Sequence, residues 1–358
     1  MARSAIALLP ALVVLALPGH AAAQQQPYLG FNEAPAPSGS AGVVEIADLS
    51  HAALGSGGVV RFGVSWRSVE GSGWGAVDEL YAALEARGLR ALPIVTDAPR
   101  STNPLCMAPP CPPAPAHYGG WAQFVSEVAR RYPGSVAIEV WNEPNKRGSW
   151  NTLLGPDPRH YAEVFRVAAA AVHSVDPTMP VLVAALAQVS KDVLGHDQTL
   201  RTFLSRFYAA GGGGALAPGD GLSVHPYPGR YELTPEKLSD PASAMSKYLG
   251  DVREIRDARD PQGSARALWV TEVGWSMTGL RAVTESQQAQ GLVNVLDVLG
   301  AMSDVRSVLV HRLADPPPAV GRPVSELGFG VVRRNLAPKQ SYCAIAAKLG
   351  RPVPAGCG

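Results

Sequence analysis

The sequence has few charged residues and no excess of either sign. Charged side chains make up 17% of its 358 residues, with 31 Lys and Arg against 30 Asp and Glu. A general nucleic-acid-binding protein needs a basic face that neutralises phosphates. The balanced charge therefore argues against nucleic acid as a partner.

Long apolar runs are also scarce. The run from Ala5 to Leu17 follows the single charge of Arg3 and precedes the small residues Ala21-Ala22-Ala23. It is too short for a comfortable transmembrane helix, but the arrangement is typical of a secretory signal peptide. We therefore predict a signal peptide over residues 1–23 and one secreted domain, extracellular or periplasmic, over residues 24–358. We expect no association with a membrane.

Cysteine occurs at only four positions, Cys106, Cys111, Cys343 and Cys357. In an exported protein an even count suggests two disulfides. The spacing favours the two local pairs, Cys106 with Cys111 and Cys343 with Cys357, while the other two pairings remain open. A zinc site is the competing interpretation, but the spacing is wrong and no histidine flanks the cysteines closely. We predict no metal.

A convincing glycine-rich turn after an early apolar segment is also lacking. Such a turn would favour a doubly wound open sheet that binds a nucleotide. The glycine run at residues 211–214 follows a predicted helix and is more typical of a flexible loop. We therefore expect no cofactor.

The chain does contain eight short apolar segments that alternate with helical patterns. Short continuous apolar runs are expected of strands that are covered on both faces. Helical spacing recurs between them, as in the repeat from Val77 to Leu84 and in the capping box formed by Thr284 and Gln287. This alternation predicts an α/β protein with a single-domain (β/α)8 TIM barrel; a doubly wound sheet is the alternative. The predicted strands are residues 28–32, 58–64, 91–95, 135–140, 181–185, 221–224, 267–270 and 307–310.

Two of these strands end in a glutamate. Glu143 follows strand four in the stretch Trp141-Asn142-Glu143-Pro144, and Glu272 lies at the end of strand seven. A single strand-end glutamate often only caps a helix or binds an arginine. Two of them suggest paired-carboxylate chemistry, as in the cleavage of sugar bonds. Active sites of barrels gather at the C-terminal ends of the strands, so the two should converge on one cleft.

The Asn142-Glu143-Pro144 motif, paired with Thr271-Glu272, resembles the retaining glycoside hydrolases of clan A. The likeness is greatest to the cellulase-like family 5 and the xylosidase-like family 39, and covers most of the chain after the leader. It implies a retaining β-glycosidase that hydrolyses O-glycosidic bonds of a poly- or oligosaccharide by double displacement. Glu143 would be the acid/base, protonated at rest, and Glu272 the nucleophile. A transglycosylase with the same residues and a non-catalytic carbohydrate-binding barrel are the alternatives.

Four further residues are candidates for contacting the substrate or the catalytic pair. By the resemblance, Asn142 contacts the sugar 2-hydroxyl and Tyr227 donates a hydrogen bond to Glu272. Arg61 lies inside strand two, and a buried arginine needs an anionic partner, for which Glu272 is the obvious choice. His225 follows strand six and could touch the substrate or orient a carboxylate.

Aromatic rings near strand ends are candidates for stacking on sugar faces. Trp66 and Trp275 each lie just past a strand and are the best choices, although core packing is the alternative for any tryptophan here. Asn32 and Glu33, after strand one, could also line the cleft. We expect a monomer whose partner is a carbohydrate.

The sequence departs from the clan A pattern at strand eight. Those barrels commonly place a tryptophan at its end, as the floor of the first sugar subsite. Here the stretch reads Val310-His311-Arg312, without a tryptophan. Either strand eight lies elsewhere, or His311 or Arg312 replaces the ring. An arginine at this place would favour an acidic sugar.

Overall fold

The computed structural model describes residues 26–33, 40–354 and 356–357, which form a closed parallel barrel. Its eight strands pair in sequence order, and the eighth closes the barrel against the first. Every predicted strand overlaps an observed one, so the predicted (β/α)8 barrel is confirmed and the open sheet is wrong. The predicted signal peptide lies outside the described residues. The strands are β1 (Tyr28–Asn32), β2 (Val59–Ser65), β3 (Arg90–Thr96), β4 (Ile138–Val140), β5 (Val181–Val183), β6 (Gly221–Val224), β7 (Ala267–Val273) and β8 (Val305–His311).

Helices connect the strands. Their apolar faces are buried, as for Val77, Leu80 and Leu84 of α3, and α9 begins with the predicted capping box, in which Thr284 and Gln287 each accept the other's backbone N–H. In the described part of the chain, no helix has the length and apolar character needed to cross a membrane. The helices are α1 (Ser40–Leu54), α2 (Trp66–Ser72), α3 (Gly75–Glu85), α4 (Tyr118–Arg131), α5 (Pro158–Val175), α6 (Leu200–Ala209), α7 (Pro235–Ser239), α8 (Ala244–Arg259), α9 (Glu285–Gly300) and α10 (Gln340–Lys348).

The barrel interior changes from apolar to polar along the strands. One cluster of buried apolar residues draws its members from β2, β3, β5, β7 and β8, which can meet only inside the barrel. Because side chains two residues apart share a face of a strand, the next inward position follows two residues later, and on β2, β4, β7 and β8 it is polar. The pairs of successive inward residues are Val59 and Arg61, Ala137 and Glu139, Trp269 and Thr271, and Leu309 and His311.

Both predicted disulfides are present. Cys106 is bonded to Cys111 and Cys343 to Cys357, each pair with its Cα atoms 5.6 Å apart. No cysteine in the described residues is free, so the zinc alternative is wrong for these four side chains. The second disulfide ties the C-terminal segment to α10.

The disulfide that closes the longer loop should contribute more to stability. Replacing Cys343 and Cys357 together by serine should lower the free energy of unfolding by about 3 kcal/mol, and replacing Cys106 and Cys111 by about 2 kcal/mol, because a longer closed loop restricts the unfolded chain more. Urea unfolding of both double variants under non-reducing conditions measures this. Equal losses, or the reverse order, would show that loop length does not set the difference.

Candidate active site

A cleft of about 910 Å³ opens at the C-terminal ends of the strands. Both strand-end glutamates line it, and each carboxylate is largely buried, with 15% of the Glu143 side chain and 11% of the Glu272 side chain exposed. The polar ends of the inward-facing rows form its floor. Its lining includes Asn32, Asn142, Lys146, Tyr227, His311, Arg312, Glu326 and Phe329.

An irregularity in β7 aims Glu272 into this cleft. Neighbouring residues of a regular strand point to opposite faces, but Thr271 and Glu272 both contact residues of the barrel interior. The pairing of β7 with β8 shifts register between Val270 and Val273. Such a bulge can change the direction of a side chain next to an active site. Here it allows the consecutive residues Thr271 and Glu272 both to point into the barrel interior.

A strained turn after β4 aims Glu143 at the same cleft. Trp141 and Glu143 have φ angles of 77° and 46°, which non-glycine residues rarely adopt. Backbone hydrogen bonds hold the turn on both sides, from the Trp141 amide to Val95 and from the Glu143 amide to Ala185. Strain of this kind persists where the surroundings impose it and is frequent at functional sites.

His225 bridges the two glutamates. Its Nδ1 lies 3.1 Å from Oε1 of Glu143 and 3.7 Å from Oε2 of Glu272. These two oxygens are therefore at most 6.8 Å apart, the sum of the two distances. The imidazole is fully buried, so the two carboxylates face one another across a fixed side chain.

Arg61 joins residues from four parts of the barrel. Only 1% of this residue is exposed. Its Nη1 donates to Oε1 of Glu272 (2.7 Å) and to Oδ1 of Asn32 (3.1 Å), its Nη2 to Oδ1 of Asn142 (2.9 Å), and its Nε to Oε2 of Glu139 (2.7 Å). The Asn32 amide in turn donates to Oε1 of Glu272 (2.9 Å). One guanidinium thus fixes both sides of the cleft.

The surroundings of Glu272 favour its ionised form. Burial raises the pKa of this carboxyl, but attraction by His225 and Arg61 and the hydrogen bond from Tyr227 outweigh burial and hold the pKa well below its usual value. The Tyr227 hydroxyl donates to Oε2 over 2.7 Å. A carboxylate that stays ionised is suited to attack an electrophile.

Glu143 has different neighbours. Oε2 lies 2.9 Å from Nζ of Lys146, and Oε1 accepts from His225. Burial raises the pKa of Glu143, and so does the charge of Glu272. The hydrogen bond from His225 and the charge of Lys146 lower this pKa by a larger amount, so it lies below its usual value. These neighbours favour the ionised form of Glu143, and its protonation at rest stays a prediction.

Strand eight contains the predicted residues 307–310 and extends one residue further, so that His311 is its last residue. The Asn32 amide nitrogen lies 2.9 Å from Nδ1 of His311. Since that nitrogen can only donate, Nδ1 must accept, which puts the ring proton on Nε2, 3.4 Å from Oε2 of Glu326. His311 is thus a hydrogen-bonding imidazole at the end of β8, where the sequence departs from the clan A pattern.

Arg312 and Phe329 also reach the cleft from the segment after β8. Nη2 of Arg312 is 2.9 Å from the buried carboxylate of Glu33, so its charge is met within the protein. Phe329 packs edge-on against Tyr227 and His311, with ring centroids 5.6 and 5.1 Å apart. It supplies an aromatic surface beside Glu272 that sequence reasoning did not single out.

The two predicted stacking tryptophans do not line the cleft, which corrects that expectation. Trp275 is 3% exposed, and its indole N–H donates to the Gly229 carbonyl. Trp66 begins α2 and packs against Trp121 and Phe124 of α4. Both rings turn toward the helices, where burial of a large apolar surface is favourable.

Sequence reasoning also missed Glu139 and Lys146. Lys146 lies three residues after Glu143, so the sequence held a signal for a local ion pair. Glu139 lies in β4, within what reads as an apolar run. A charged residue inside an apolar strand was the reason for selecting Arg61, and the same criterion would have selected Glu139.

No protein-family model and no curated protein matches the chain. A family 39 glycoside hydrolase from Bacteroides cellulosilyticus WH2 superposes with a TM-score of 0.62 at 19% identity, over 90% of this chain and 64% of that one. A GH39 β-xylosidase from Caulobacter crescentus gives 0.57 at 20%, over 91% and 72%. GH5_18 from Streptomyces cattleya, in complex with GlcNAc, gives 0.68 at 17%, over 93% and 83%.

The chain has the fold of these glycoside hydrolases. They belong to the two families that the Asn142-Glu143-Pro144 motif resembles, and the likeness confirms the predicted barrel. At identities of 20% and below it extends to the fold and not to the reaction. This chain spans 64% of the first of them.

The contact between Lys146 and Glu143 predicts how the pKa of Glu143 changes when the charge of Lys146 is removed. Replacing Lys146 by methionine removes a positive charge that lowers the pKa of Glu143, so that pKa should rise. A carboxyl ¹³C NMR titration that identifies Glu143 by comparison with Glu143→Gln measures the change. Lys348→Met is the matched control, because Lys348 pairs with Asp297 between α9 and α10. An unchanged or lower pKa in Lys146→Met contradicts the prediction.

Proposed function

We propose that this protein is a retaining β-glycosidase that hydrolyses O-glycosidic bonds of a poly- or oligosaccharide. The observation that carries the proposal is the pair of buried carboxylates facing each other across one cleft with unlike partners. Glycoside hydrolysis uses two carboxyl groups whose environments separate their acidities. The fold shared with glycoside hydrolases of families 39 and 5 supports the same class of reaction.

In the first step Glu272 attacks the anomeric carbon. A carboxylate oxygen of Glu272 forms a bond to C1, and the bond from C1 to the leaving oxygen breaks. Glu143 gives its proton to that oxygen, and the product is a glycosyl ester on Glu272. The hydrogen bonds from Arg61, Asn32 and Tyr227 hold the attacking group in place.

In the second step water takes the place of the leaving group. Glu143 removes a proton from the water as the water oxygen bonds to C1, and the ester bond breaks to restore the Glu272 carboxylate. The charge of Glu272 raises the pKa of Glu143, and the ester lacks that charge. The pKa of Glu143 should therefore be lower in the ester state, which favours the ionised form that must enter the second step as a base.

The spacing of the carboxylates supports retention of anomeric configuration. Retaining enzymes hold the two groups about 5–5.5 Å apart, whereas inverting enzymes leave about 6.5–9.5 Å for a water. The two oxygens that His225 bridges are at most 6.8 Å apart, which is compatible with the retaining spacing. The firm hold on Glu272 also suits a nucleophile better than a base that must activate a mobile water.

We also propose that the protein is secreted and works as a monomer. The two disulfides support export to an oxidising compartment.

The alternative functions are less well supported by the site. A non-catalytic carbohydrate-binding barrel would not need to keep Glu272 ionised beside a second buried carboxylate. No observation favours transglycosylation over hydrolysis.

Removing either carboxylate should stop turnover of glycosides. Glu143→Ala should lower kcat/KM by about 10²- to 10⁴-fold because a general acid/base is lost, with less loss for 4-nitrophenyl glycosides, whose leaving group needs little protonation. Glu272→Ala should abolish turnover. A polysaccharide panel with reducing-sugar detection, together with a 4-nitrophenyl β-glycoside panel, measures both, with Glu236→Gln on the exposed face of α7 as control. Full activity of Glu272→Ala on every hydrolysed substrate would defeat the proposal.

Double displacement also predicts the anomer released first. A ¹H NMR time course on a cleaved β-glycoside should show the β-anomer of the sugar before mutarotation produces the α-anomer. If the α-anomer appears first, the enzyme inverts, and Glu272 would instead be the base that activates water.

A further inference from the structure

We propose that Glu139 is the counter-ion that keeps Arg61 paired while Glu272 carries the sugar. It is a positioning residue that acts through Arg61 and does not touch the substrate. The inference rests on the proposed double displacement, because only that reaction removes the charge of Glu272 during turnover.

Glu139, Arg61 and Glu272 form a row of three charges beneath the cleft. Nε of Arg61 is 2.7 Å from Oε2 of Glu139, and Nη1 is 2.7 Å from Oε1 of Glu272. The Glu139 side chain is fully buried and does not line the cleft, whereas Glu272 does. Glu139 is therefore reached only through Arg61 and cannot contact a sugar.

The remaining contacts of Glu139 are weak. Its Oε1 lies 3.5 Å from both the Thr271 hydroxyl and the Ala185 amide nitrogen. Arg61 thus provides its one short, charged contact. A buried carboxylate without a cation is strongly disfavoured, so Glu139 and Arg61 need each other whatever the state of Glu272.

The reaction changes the charge of this row. When a Glu272 oxygen bonds to C1 and the leaving oxygen departs with the proton of Glu143, the carboxylate becomes a neutral ester. Without Glu139, the buried guanidinium of Arg61 would then lack an anionic partner, which is unfavourable in a site shielded from water. With Glu139 present, the Arg61–Glu139 pair has no net charge, and formation of the ester does not leave Arg61 unpaired.

Glu139 also affects the state before attack. Because Arg61 is shared between two carboxylates, it neutralises Glu272 only in part and leaves it reactive. Removing the charge of Glu139 would bind Arg61 more tightly to Glu272 and would leave Arg61 unpaired in the ester. Both effects slow formation of the ester, whereas hydrolysis of the ester restores the Glu272 charge and should not be slowed.

This asymmetry distinguishes the proposal from a purely structural role. Glu139→Gln keeps the size of the side chain and removes its charge. Asp260→Asn is the matched control, because Asp260 forms an equally buried ion pair with Arg266 ahead of β7 and away from the cleft. Both variants break a buried ion pair, and only the first should change the two chemical steps unequally.

The test uses a 2,4-dinitrophenyl 2-deoxy-2-fluoro-β-glycoside of the sugar cleaved fastest in the 4-nitrophenyl panel. Intact-protein mass spectrometry follows covalent labelling of Glu272, and recovery of activity after removal of excess reagent follows hydrolysis of the ester. In Glu139→Gln, labelling should slow by at least about tenfold, while recovery should be as fast as in the wild type or faster. Asp260→Asn should match the wild type in both rates.

The outcomes separate this inference from the proposed function. Suppose that the wild type is labelled at Glu272. If Glu139→Gln is labelled equally fast, or if its labelling and its recovery are slowed to the same extent, only the role of Glu139 is overturned. A wild type that cleaves glycosides but is never labelled at Glu272 overturns the proposed function as well. If Glu139→Gln does not fold, Glu139→Asp keeps the charge and should label within about tenfold of the wild type; a greater loss, with unchanged thermal stability, counts against the inference.

Discussion

The site depends on one interaction, the double ion pair of Arg61 with Glu139 and Glu272. A guanidinium presents its donors in one rigid plane, and here that plane is shared among side chains from β1, β4 and β7 and from the turn after β4. The position of Glu272, the proposed nucleophile, is therefore set by the barrel as a whole. Only a closed sheet brings these three strands and β2, which carries Arg61, around a common centre, so the geometry of the site depends on the fold.

The interior of the barrel supports that charged centre with an apolar layer. Val59, Trp269 and Leu309 fill the end where the strands begin, and Arg61, Thr271 and His311 follow on the same faces. A buried ion pair contributes little net stability compared with apolar packing. The apolar layer and the surrounding helices therefore stabilise the fold. The polar layer instead positions Glu272 through Arg61, which apolar residues cannot do.

Sequence patterns predicted what depends on periodicity and on local spacing. The eight strands, the capping box of α9 and the two disulfides follow from such patterns, and the polar ends of β4 and β7 indicated the cleft. What failed depends on the direction of single side chains after a strand ends: Trp66 and Trp275 turn outward to the helices, while Phe329 turns inward from a distant segment. The bulge that lets Glu272 point inward beside Thr271 has no periodic signal either.

The two glutamates are chemically identical and differ only in what surrounds them. Glu272 is held by buried donors, which favour its ionised form. Glu143 has one exposed partner, since 43% of the Lys146 side chain is open to solvent. In the proposed reaction, a sugar bound in the cleft would exclude water from Glu143, and loss of solvent raises the pKa of a carboxyl. The lowered pKa in the empty cleft is thus compatible with the proposed proton donation, because the bound substrate would shift Glu143 toward its protonated form.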